Sequence, residues 1–471
     1  MSQDTRTMSE SLVPLRRGAA SARRADGRAV PVPLTRRAYI ETYGCQMNIG
    51  DSELMAGALA ARGYVRVDAP ELADVIVVNT CAIREHAEQR VFGRIGQLQR
   101  IRRDRPEVVL AVTGCMAQRL GPELLERSTG VDLVAGPDSY RSLGKLVDSI
   151  REGGIERGQL LLDLDEDENY EGIPSLRGQG ASAWVTVQRG CDHRCTFCIV
   201  PYVRGPEKNR DPAEVLTETR AAVAAGFLEI TLLGQTVNSY RHGDTSFAGL
   251  LREVARVPGV RRVRFTSPHP NDVDDDLLRV MASEPTVCVQ LHLPVQSGSD
   301  RVLKRMVRRY SRDAFLSIVE RVRDRVPGIA LSTDVIVGFP GETESEFEET
   351  ADLLRRVRFD DAYLYRYSLR EGTPATRFPA ADFIDDETAG RRLSELISLQ
   401  REIQREIHET EIGRVVEVLA EREARTPGDL LGRTETNKAV VFPAGGRAIG
   451  AFVDVRLLST TGATFIGEVV S

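Results

Sequence analysis

Three closely spaced cysteines, Cys191, Cys195 and Cys198, restrict the possible folds of this chain more than any other feature. They directly follow an apolar run, Trp184–Gln188, that has the composition of a buried strand. In a β/α barrel the loops after the strands form the catalytic face, so the three thiols are expected there. Soft thiolates in this group suit an iron–sulfur cluster, and three protein ligands leave one iron of a four-iron cluster open to chemistry.

Zinc is an alternative metal for this loop, with His193 as a fourth ligand. Zinc sites usually consist of two separated C-x-x-C arms, however, and only one such arm occurs here. A trio of buried structural thiols is a further alternative. The open ligand set of the loop favours the cluster.

The length and composition predict a multidomain protein that does not cross a membrane. The chain has 471 residues, which exceeds the size of a single core, and it lacks a run of about 18 apolar residues. The 7 cysteines, without a secretory signal, favour a reducing compartment, so we expect a cytoplasmic protein. With a net charge of −6, an RNA partner would require local basic faces. Nothing in the sequence indicates oligomerisation, and we expect a monomer.

Changes in periodicity divide the chain into five segments. Residues 1–37 are rich in arginine without apolar runs, which predicts a disordered basic extension. Over residues 38–160, strand-like and helical runs alternate, which predicts an open parallel α/β sheet with its clearest strands at Ala38–Thr42, Val75–Val78 and Val108–Val112. Residues 161–181 are first acidic and then glycine-rich, and they are the predicted linker.

Two further segments complete the predicted architecture. Residues 182–410 contain six strand–helix units and end in a charged helix at about 386–410, which predicts a partial (β/α)6 barrel; its strands are expected at Trp184–Gln188, Glu229–Leu233, Val263–Thr266, Val287–Leu293, Ala330–Ile336 and Ala362–Tyr367. Residues 411–471 predict a small all-β barrel, with strands at Val415–Leu419, Ala439–Phe442, Ala451–Leu457 and Thr464–Val470.

Three other cysteines, Cys45, Cys81 and Cys115, are far apart in sequence but share one context. Each directly follows an apolar strand and precedes a helical pattern. The carboxyl ends of strands in a parallel sheet line one crevice, so these thiols are expected to meet there. A lone cysteine is usually a small buried hydrophobe, and Cys288, which lacks this context, is interpreted in that way. The repeated context favours a second cluster with an open iron.

The motifs around these cysteines resemble known proteins. The cysteine loop is similar to the signature of the radical S-adenosylmethionine superfamily, in which the open iron binds the amino and carboxylate groups of S-adenosylmethionine. The chain from Arg37 onward resembles the methylthiotransferase family, on the evidence of Glu41–Asn48, Cys81–Glu85, Cys191–Gly205 and Leu232–Gln235. Gln46–Asn48 resembles the branch that modifies tRNA rather than a ribosomal protein. Thr236, where the family usually has Asn, and Pro206 depart from the pattern.

The resemblance implies two 4Fe–4S clusters, one on each cysteine trio, with S-adenosylmethionine as cofactor. One molecule of S-adenosylmethionine would supply methyl to sulfur at the Cys45, Cys81 and Cys115 cluster, and reductive cleavage of another at the other cluster would give the radical. The implied reaction adds a methylthio group to C2 of N6-(dimethylallyl)adenosine at position 37 of tRNA, beside the anticodon. A strong, nonacidic C–H bond is beyond general base catalysis, so a radical cofactor is needed.

The same resemblance implies partners and contacts. The expected partners are tRNA, a sulfur source and an electron donor such as flavodoxin or ferredoxin. By analogy, the expected cofactor contacts at strand ends of the barrel are Gly234, Gln235, Ser297, Gly338 and Glu342. Two alternative substrates are threonylcarbamoyl-adenosine in tRNA and an aspartate of a ribosomal protein. An alternative from another class is a noncatalytic metal-containing RNA-binding protein.

The tail contains a segment, Leu431–Lys438, that resembles the RNA-binding TRAM barrel and is predicted to lie between strands. Arg433, Asn437 and Lys438 are the expected RNA contacts. The nearly balanced charge of the tail also fits a barrel that only packs. A second basic stripe at helical spacing is interpreted as a solvated helix face and comprises Arg301, Lys304, Arg305, Arg308 and Arg309.

Overall fold

The computed structural model describes residues 36–470, except residues 83, 84, 129 and 179 and the side chains of residues 85–87. The predicted basic extension lies outside the described residues, apart from its last two positions, which begin the first strand. Within the described part, every helix is too short or too polar to cross a membrane.

The N-terminal domain is the predicted parallel sheet. Its strands are β1 (Arg36–Thr42), β2 (Tyr64–Arg66), β3 (Val75–Thr80), β4 (Val109–Gly114), β5 (Leu133–Ala135) and β6 (Gln159–Leu161), and its helices are α1 (Gln46–Ala60), α2 (Glu85–Asp104), α3 (Cys115–Arg127) and α4 (Tyr140–Arg151). The strands run parallel in the order β2-β1-β3-β4-β5-β6. Strands β3 and β4 are buried along their whole length because helices cover both faces of the sheet.

The central domain is an open half-barrel. Its first half contains β7 (Ser182–Thr186), β8 (Gln188–Arg189), α5 (Val200–Arg204), β9 (Lys208–Asn209), α6 (Pro212–Ala224), β10 (Glu229–Leu233), β11 (Arg241–His242), β12 (Thr245–Ser246), α7 (Phe247–Ala255) and β13 (Arg262–Phe265). Its second half contains α8 (Asp275–Ser283), β14 (Gln290–His292), α9 (Asp300–Arg305), α10 (Arg312–Arg325), β15 (Ala330–Val337), α11 (Glu344–Val357), β16 (Asp361–Arg366) and α12 (Asp386–Glu409).

Two three-stranded parallel sheets, β13-β10-β7 and β14-β15-β16, make up this half-barrel. A bridge between Val263 and Val287 joins them. The outer strands β7 and β16 do not pair with each other in the described chain, so the barrel stays open on that side. The six predicted strand positions are confirmed: Glu229–Leu233 matches β10 at both ends, and the ends of the other strands differ by at most three residues.

The C-terminal domain is a closed barrel in the order β17-β18-β19-β21-β20. Its strands are β17 (Val415–Glu423), β18 (Asp429–Thr434), β19 (Ala439–Pro443), β20 (Phe452–Thr460) and β21 (Thr464–Val469). The prediction that Leu431–Lys438 lies between strands is wrong for its first half, which belongs to β18. Gly432 obscured this strand: a Cβ there would lie 2.2 Å from the Leu419 carbonyl oxygen, so the barrel requires glycine at this close approach.

Buried polar contacts dock the three domains against each other. Arg262 donates to the Arg433 carbonyl at 2.8 Å, and Arg264 donates to the Thr434 carbonyl at 2.6 Å, which ties the half-barrel to the C-terminal barrel. The predicted linker packs between the N-terminal domain and the half-barrel. Tyr170 of the linker stacks on Tyr140 of the N-terminal domain at 5.8 Å, and the guanidinium of Arg189 in the half-barrel lies 3.9 Å from the Tyr170 ring. Both domain interfaces therefore contain buried arginine side chains whose polar or aromatic partners belong to the neighbouring domain or to the linker.

Candidate functional site

The N-terminal cysteines lie at one edge of the sheet because of strand register. Thr80 pairs with Gly114 across β3 and β4, so Cys81 and Cys115 leave neighbouring strands side by side. Cys45 caps the start of α1, one strand further along. Gly44 allows this approach, since a Cβ there would lie 2.5 Å from the Cβ of Cys81. The structure thus brings the three sequence-predicted cysteines together.

The sulfur atoms of this N-terminal trio interact with each other and with fixed polar groups. A hydrogen bond with Cys81 lowers the pKa of Cys45 to about 6; burial opposes this effect, and the charge of Arg204 adds to it. Cys45 Sγ also donates to Asn48 Oδ1 at 3.3 Å. Asn48 in turn donates to the Thr80 carbonyl at 3.0 Å. Burial raises the pKa of the Cys115 thiol, so metal binding would have to displace its proton.

The second group, Cys191, Cys195 and Cys198, forms the barrel trio in the loop after β8. Cys198 N–H donates to the Cys195 carbonyl at 3.0 Å, which closes a tight turn. Burial, together with the charge of Cys195, raises the pKa of Cys198 to about 12. The loop can approach Pro206 only because position 190 is glycine: its φ is +74°, and a Cβ there would lie 1.8 Å from the Pro206 carbonyl oxygen.

Two side chains outside the loop contact the barrel trio. The Thr236 hydroxyl lies 3.1 Å from Cys191 Sγ, and Arg308 Nη1 donates to Cys195 Sγ at 3.6 Å. Burial raises the pKa of Cys191, whereas the Thr236 hydrogen bond lowers it. Such contacts to sulfur orient ligands and tune a bound metal.

Both donor sets fit an iron–sulfur cluster. All six cysteines are free of disulfides, and each trio supplies three soft thiols. The zinc alternative requires His193 as a fourth ligand. The His193 ring instead contacts other residues: it stacks on the His269 ring at 4.0 Å, and its Nε2 lies 3.5 Å from a carboxylate oxygen of Asp272. The structure therefore supports three-cysteine ligation at each site.

The segment that follows the barrel trio packs against the N-terminal trio. Ile199 and Val203, which follow the barrel loop, pack with Ala82 and Cys115 of the N-terminal domain in one apolar cluster. Arg204 then crosses the interface: its Nε donates to Cys115 Sγ at 3.1 Å, and its Nη2 donates to Asp51 at 2.5 Å.

The expected cofactor contacts follow β10, β14 and β15 on the same rim as the cysteine loop. Gly234 approaches Gln188, and Gln235 has a buried Oε1 without a hydrogen-bond partner in the described structure. Ser297 is fully buried and accepts from Ser299 N–H at 3.2 Å. Glu342 accepts from Gly338 N–H at 2.7 Å and pairs with Arg392 at 2.9 Å. The Ser297 hydroxyl and one carboxylate oxygen of Glu342 are therefore already engaged in contacts within the protein.

The expected RNA contacts occupy different environments. Lys438 is buried, and its ammonium group pairs with Asp360 at 2.8 Å and with Glu411. Arg433 is half-buried and donates to the Asn437 carbonyl at 3.0 Å. Lys438 therefore ties the C-terminal barrel to the rest of the chain and does not lie on an open surface.

Sequence reasoning missed three side chains that contact the cysteine sulfurs. Arg204 lies in the recognised motif Cys191–Gly205 and Thr236 at a position that departs from the family pattern, but sequence spacing does not identify their sulfur partners. The prediction that Arg308 lies on a solvated helix face is wrong, because α9 ends at Arg305 and the Arg308 side chain is buried against Cys195. Besides that motif, the sequence signal for Arg204 is its position at the end of the apolar segment Ile199–Val203.

Three sequence families match this chain. The Uncharacterized protein family UPF0004 matches residues 37–136, the Radical SAM superfamily matches residues 185–354, and the TRAM domain matches residues 409–470. These ranges correspond to the three structural domains.

Similar proteins cover nearly the whole chain. The tRNA-2-methylthio-N(6)-dimethylallyladenosine synthase of Carboxydothermus hydrogenoformans is 44% identical over 427 residues, which are 89% of this chain and 96% of that protein. The protein of the same name from Chlorobium luteolum is 44% identical over 93% of this chain and 98% of its own. Among solved structures, the radical S-adenosylmethionine methyltransferase TsrM from Kitasatospora setae shares the fold, with a TM-score of 0.55, 14% identity and coverage of 73% of this chain and 74% of its own.

Proposed function

Because this chain belongs to the tRNA-2-methylthio-N(6)-dimethylallyladenosine synthase family, we propose that its two cysteine trios divide the work of methylthio transfer between two domains. The enzyme is a radical S-adenosylmethionine methylthiotransferase that uses two 4Fe–4S clusters and acts on tRNA. The barrel trio would hold the cluster that serves radical formation, and the N-terminal trio the cluster that serves sulfur delivery. The observation that carries this assignment is that Ile199, Val203 and Arg204, which directly follow the barrel trio, contact Cys115 of the N-terminal trio.

The bound clusters and S-adenosylmethionine supply the radical chemistry that breaks the C2–H bond of N6-(dimethylallyl)adenosine, for which protein side chains alone are unsuited. The chain itself positions these groups. Thr236 and Arg308 hold two sulfur atoms of the barrel trio, and Arg204 holds one of the N-terminal trio. Ile199 and Val203 pack against Ala82 and Cys115 and would keep water from this side of the N-terminal trio.

Cofactor and RNA contacts follow from the same arrangement. Gln235 and Glu342 each have a buried carbonyl or carboxylate oxygen without a partner in the described residues, which supports their role as acceptors for the amino group or ribose of S-adenosylmethionine. We assign Gly234, Gly338 and Ser297 to the backbone that shapes this rim. In the C-terminal barrel, Arg433 and Asn437 remain proposed RNA contacts, and Lys438 would act indirectly by fixing the barrel.

The modified base is proposed to be adenosine 37, beside the anticodon. The remaining partners are proposed on chemical grounds: a low-potential electron donor such as flavodoxin or ferredoxin, and a separate sulfur source, because the transferred sulfur must be replaced. We propose a monomer that acts in the cytoplasm, where tRNA is available.

Single-cysteine variants of the reconstituted enzyme test the division of work. Cys195→Ala should abolish deoxyadenosine formation, since it removes a ligand of the barrel trio. Cys81→Ala should still form deoxyadenosine but no methylthio nucleoside. Cys288→Ala is the matched control, because Cys288 is a buried cysteine that lies two residues before β14 and belongs to neither trio.

Mass spectrometry of the nucleosides and of deoxyadenosine gives both readouts. Methylthio product at the wild-type rate from Cys81→Ala would remove the sulfur-delivery role from the N-terminal domain. Deoxyadenosine formation by Cys195→Ala would refute the assignment of the barrel trio. The mass of the product nucleoside distinguishes dimethylallyl-adenosine from threonylcarbamoyl-adenosine as the substrate.

A further inference from the structure

Around Arg204, the interface between the N-terminal domain and the half-barrel contains a group of three buried cations and two buried carboxylates. The half-barrel contributes Arg189, Arg204 and Lys208, whose side chains are 0%, 2% and 5% exposed. The N-terminal domain contributes Asp51 and Asp138, whose side chains are 0% and 1% exposed. Asp138 pairs with both Arg189 and Lys208, and Asp51 pairs with Arg204. Arg189 and Lys208 therefore share one carboxylate, whereas Arg204 has Asp51 as its own.

Burial makes each of these charges costly unless its contacts are complete. A buried cation is tolerated when an anion and hydrogen-bond acceptors compensate for lost hydration. At the Lys208 end of the group, the charges of Asp165, Glu168 and Glu166 in the acidic linker oppose the lowering of the Lys208 pKa by burial. Within the group, Arg204 combines incomplete contacts with a cysteine partner.

Arg204 has a sulfur partner and an unused donor. Its Nε already donates to Cys115 Sγ at 3.1 Å. Its Nη1 is buried and has no acceptor among the described residues, and Asp51 Oδ1 is buried without a donor. Tyr140 donates to the other oxygen of Asp51 at 3.3 Å. An orphaned donor on a fully buried guanidinium indicates that an acceptor is absent from this site.

We propose that Arg204 is a positioning residue for the N-terminal trio, whose thiolate sulfurs and bound cluster would provide the acceptor that Arg204 Nη1 lacks in the described part of the chain. Three thiolates carry more negative charge than the metal core carries positive charge, so the ligated group would be an anion that attracts the Arg204 guanidinium. Hydrogen bonds and charge at the sulfurs control the stability and reduction potential of such clusters. Because Arg204 belongs to the half-barrel, the N-terminal site is complete only when the two domains are docked.

This inference rests on the proposed function, which assigns iron to the N-terminal trio. The experiment therefore uses the full chain carrying Cys191→Ala, Cys195→Ala and Cys198→Ala, so that only the N-terminal trio can bind a cluster. Arg204→Met is introduced into this parent, and Arg189→Met is the matched control. Both substitutions remove a buried arginine from the interface. Asp51 keeps Tyr140 as a partner in Arg204→Met, and Asp138 keeps Lys208 in Arg189→Met. Only Arg204 contacts a cysteine, so only its loss should change the cluster site directly.

Two measurements on the anaerobically reconstituted proteins distinguish the outcomes. The first is the rate at which a chelator removes iron, which we expect Arg204→Met to raise about 10- to 100-fold over the parent. The second is the electron paramagnetic resonance spectrum and midpoint potential of the reduced cluster. Loss of a nearby positive charge disfavours the reduced form, so the potential should fall in Arg204→Met and stay near the parent value in Arg189→Met.

The possible results separate the two proposals. A parent that binds no iron would refute the assignment of the N-terminal trio itself. A parent that binds iron, with Arg204→Met equal to it in iron release and spectrum, would overturn the role of Arg204. Equal effects of Arg204→Met and Arg189→Met would also overturn it, since that result reports interface packing. If Arg204→Met does not fold, Arg204→Lys replaces it in the same comparison: unchanged iron release and spectrum overturn the role, and a changed spectrum supports it.

Discussion

Replacing Gly114 with alanine should disrupt the N-terminal trio without touching a cysteine. Gly114 joins β4 to Cys115 with φ = 91° and ψ = −166°, a backbone region open to glycine alone. Forcing alanine into it costs about 1–3 kcal/mol. The new Cβ would also lie 2.3 Å from the Thr80 carbonyl oxygen on β3, and this strand must move because a backbone atom cannot rotate away. Such overpacking costs a further ~1–3 kcal/mol.

The combined cost of about 2–6 kcal/mol is a large part of the 5–15 kcal/mol that stabilises a typical domain. We expect the N-terminal domain of the apoprotein to melt about 5 °C lower or more. Separation of β3 from β4 moves Cys81 away from Cys115, so the N-terminal trio should also lose its iron in the background without barrel cysteines.

Calorimetry of the apoprotein and iron analysis of the reconstituted protein check the two consequences. Gly93→Ala is the control, because Gly93 lies exposed on α2 with no atom within 4 Å of an added Cβ. It should be neutral or stabilising by up to ~1 kcal/mol, as alanine favours helix over glycine. If Gly114→Ala melts like the wild type and keeps its iron, the strand-register account of this site is wrong.

Three other predictions concern the remaining interfaces. Thr236→Val should lower the midpoint potential of the barrel cluster, because it removes a hydrogen bond to Cys191 Sγ, whereas Thr236→Ser should preserve it; redox titration checks both. Lys438→Met should destabilise attachment of the C-terminal barrel by about 3 kcal/mol, because two carboxylates lose their shared cation, and limited proteolysis near residue 412 measures this. Burial, then the charge of Lys438, lowers the pKa of His408 from 6.5 to about 4. The unfolded chain thus binds this proton more readily, so folding stability should fall as pH drops from about 6.5 to 4, and thermal melts of His408→Gln should show a smaller decline than the wild type.

The local features of this protein could be predicted from the sequence. Apolar runs such as Val75–Val78 become strands because their β-branched side chains suit a sheet buried on both faces, and this preference is local. Loop positions after such strands also follow from local order, so the sequence predicts that Cys45, Cys81 and Cys115 lie at one edge of the sheet. Strand β18 was not predicted, because Gly432 interrupts the apolar pattern of its sequence, although the barrel requires glycine at this position.

The contacts that complete the sites are decided by tertiary structure. Arg204 and Cys115 are 89 positions apart, and no spacing rule connects an arginine in one domain to a thiol in another. Lys438 looked like an RNA contact because its segment resembles a binding surface, yet docking of the C-terminal barrel places it between Asp360 and Glu411. A charged side chain has the same sequence signature whether it faces solvent or a buried partner, because its environment is set by which surfaces dock. Periodicity determines elements and their loops, whereas only the packed chain determines which charges meet.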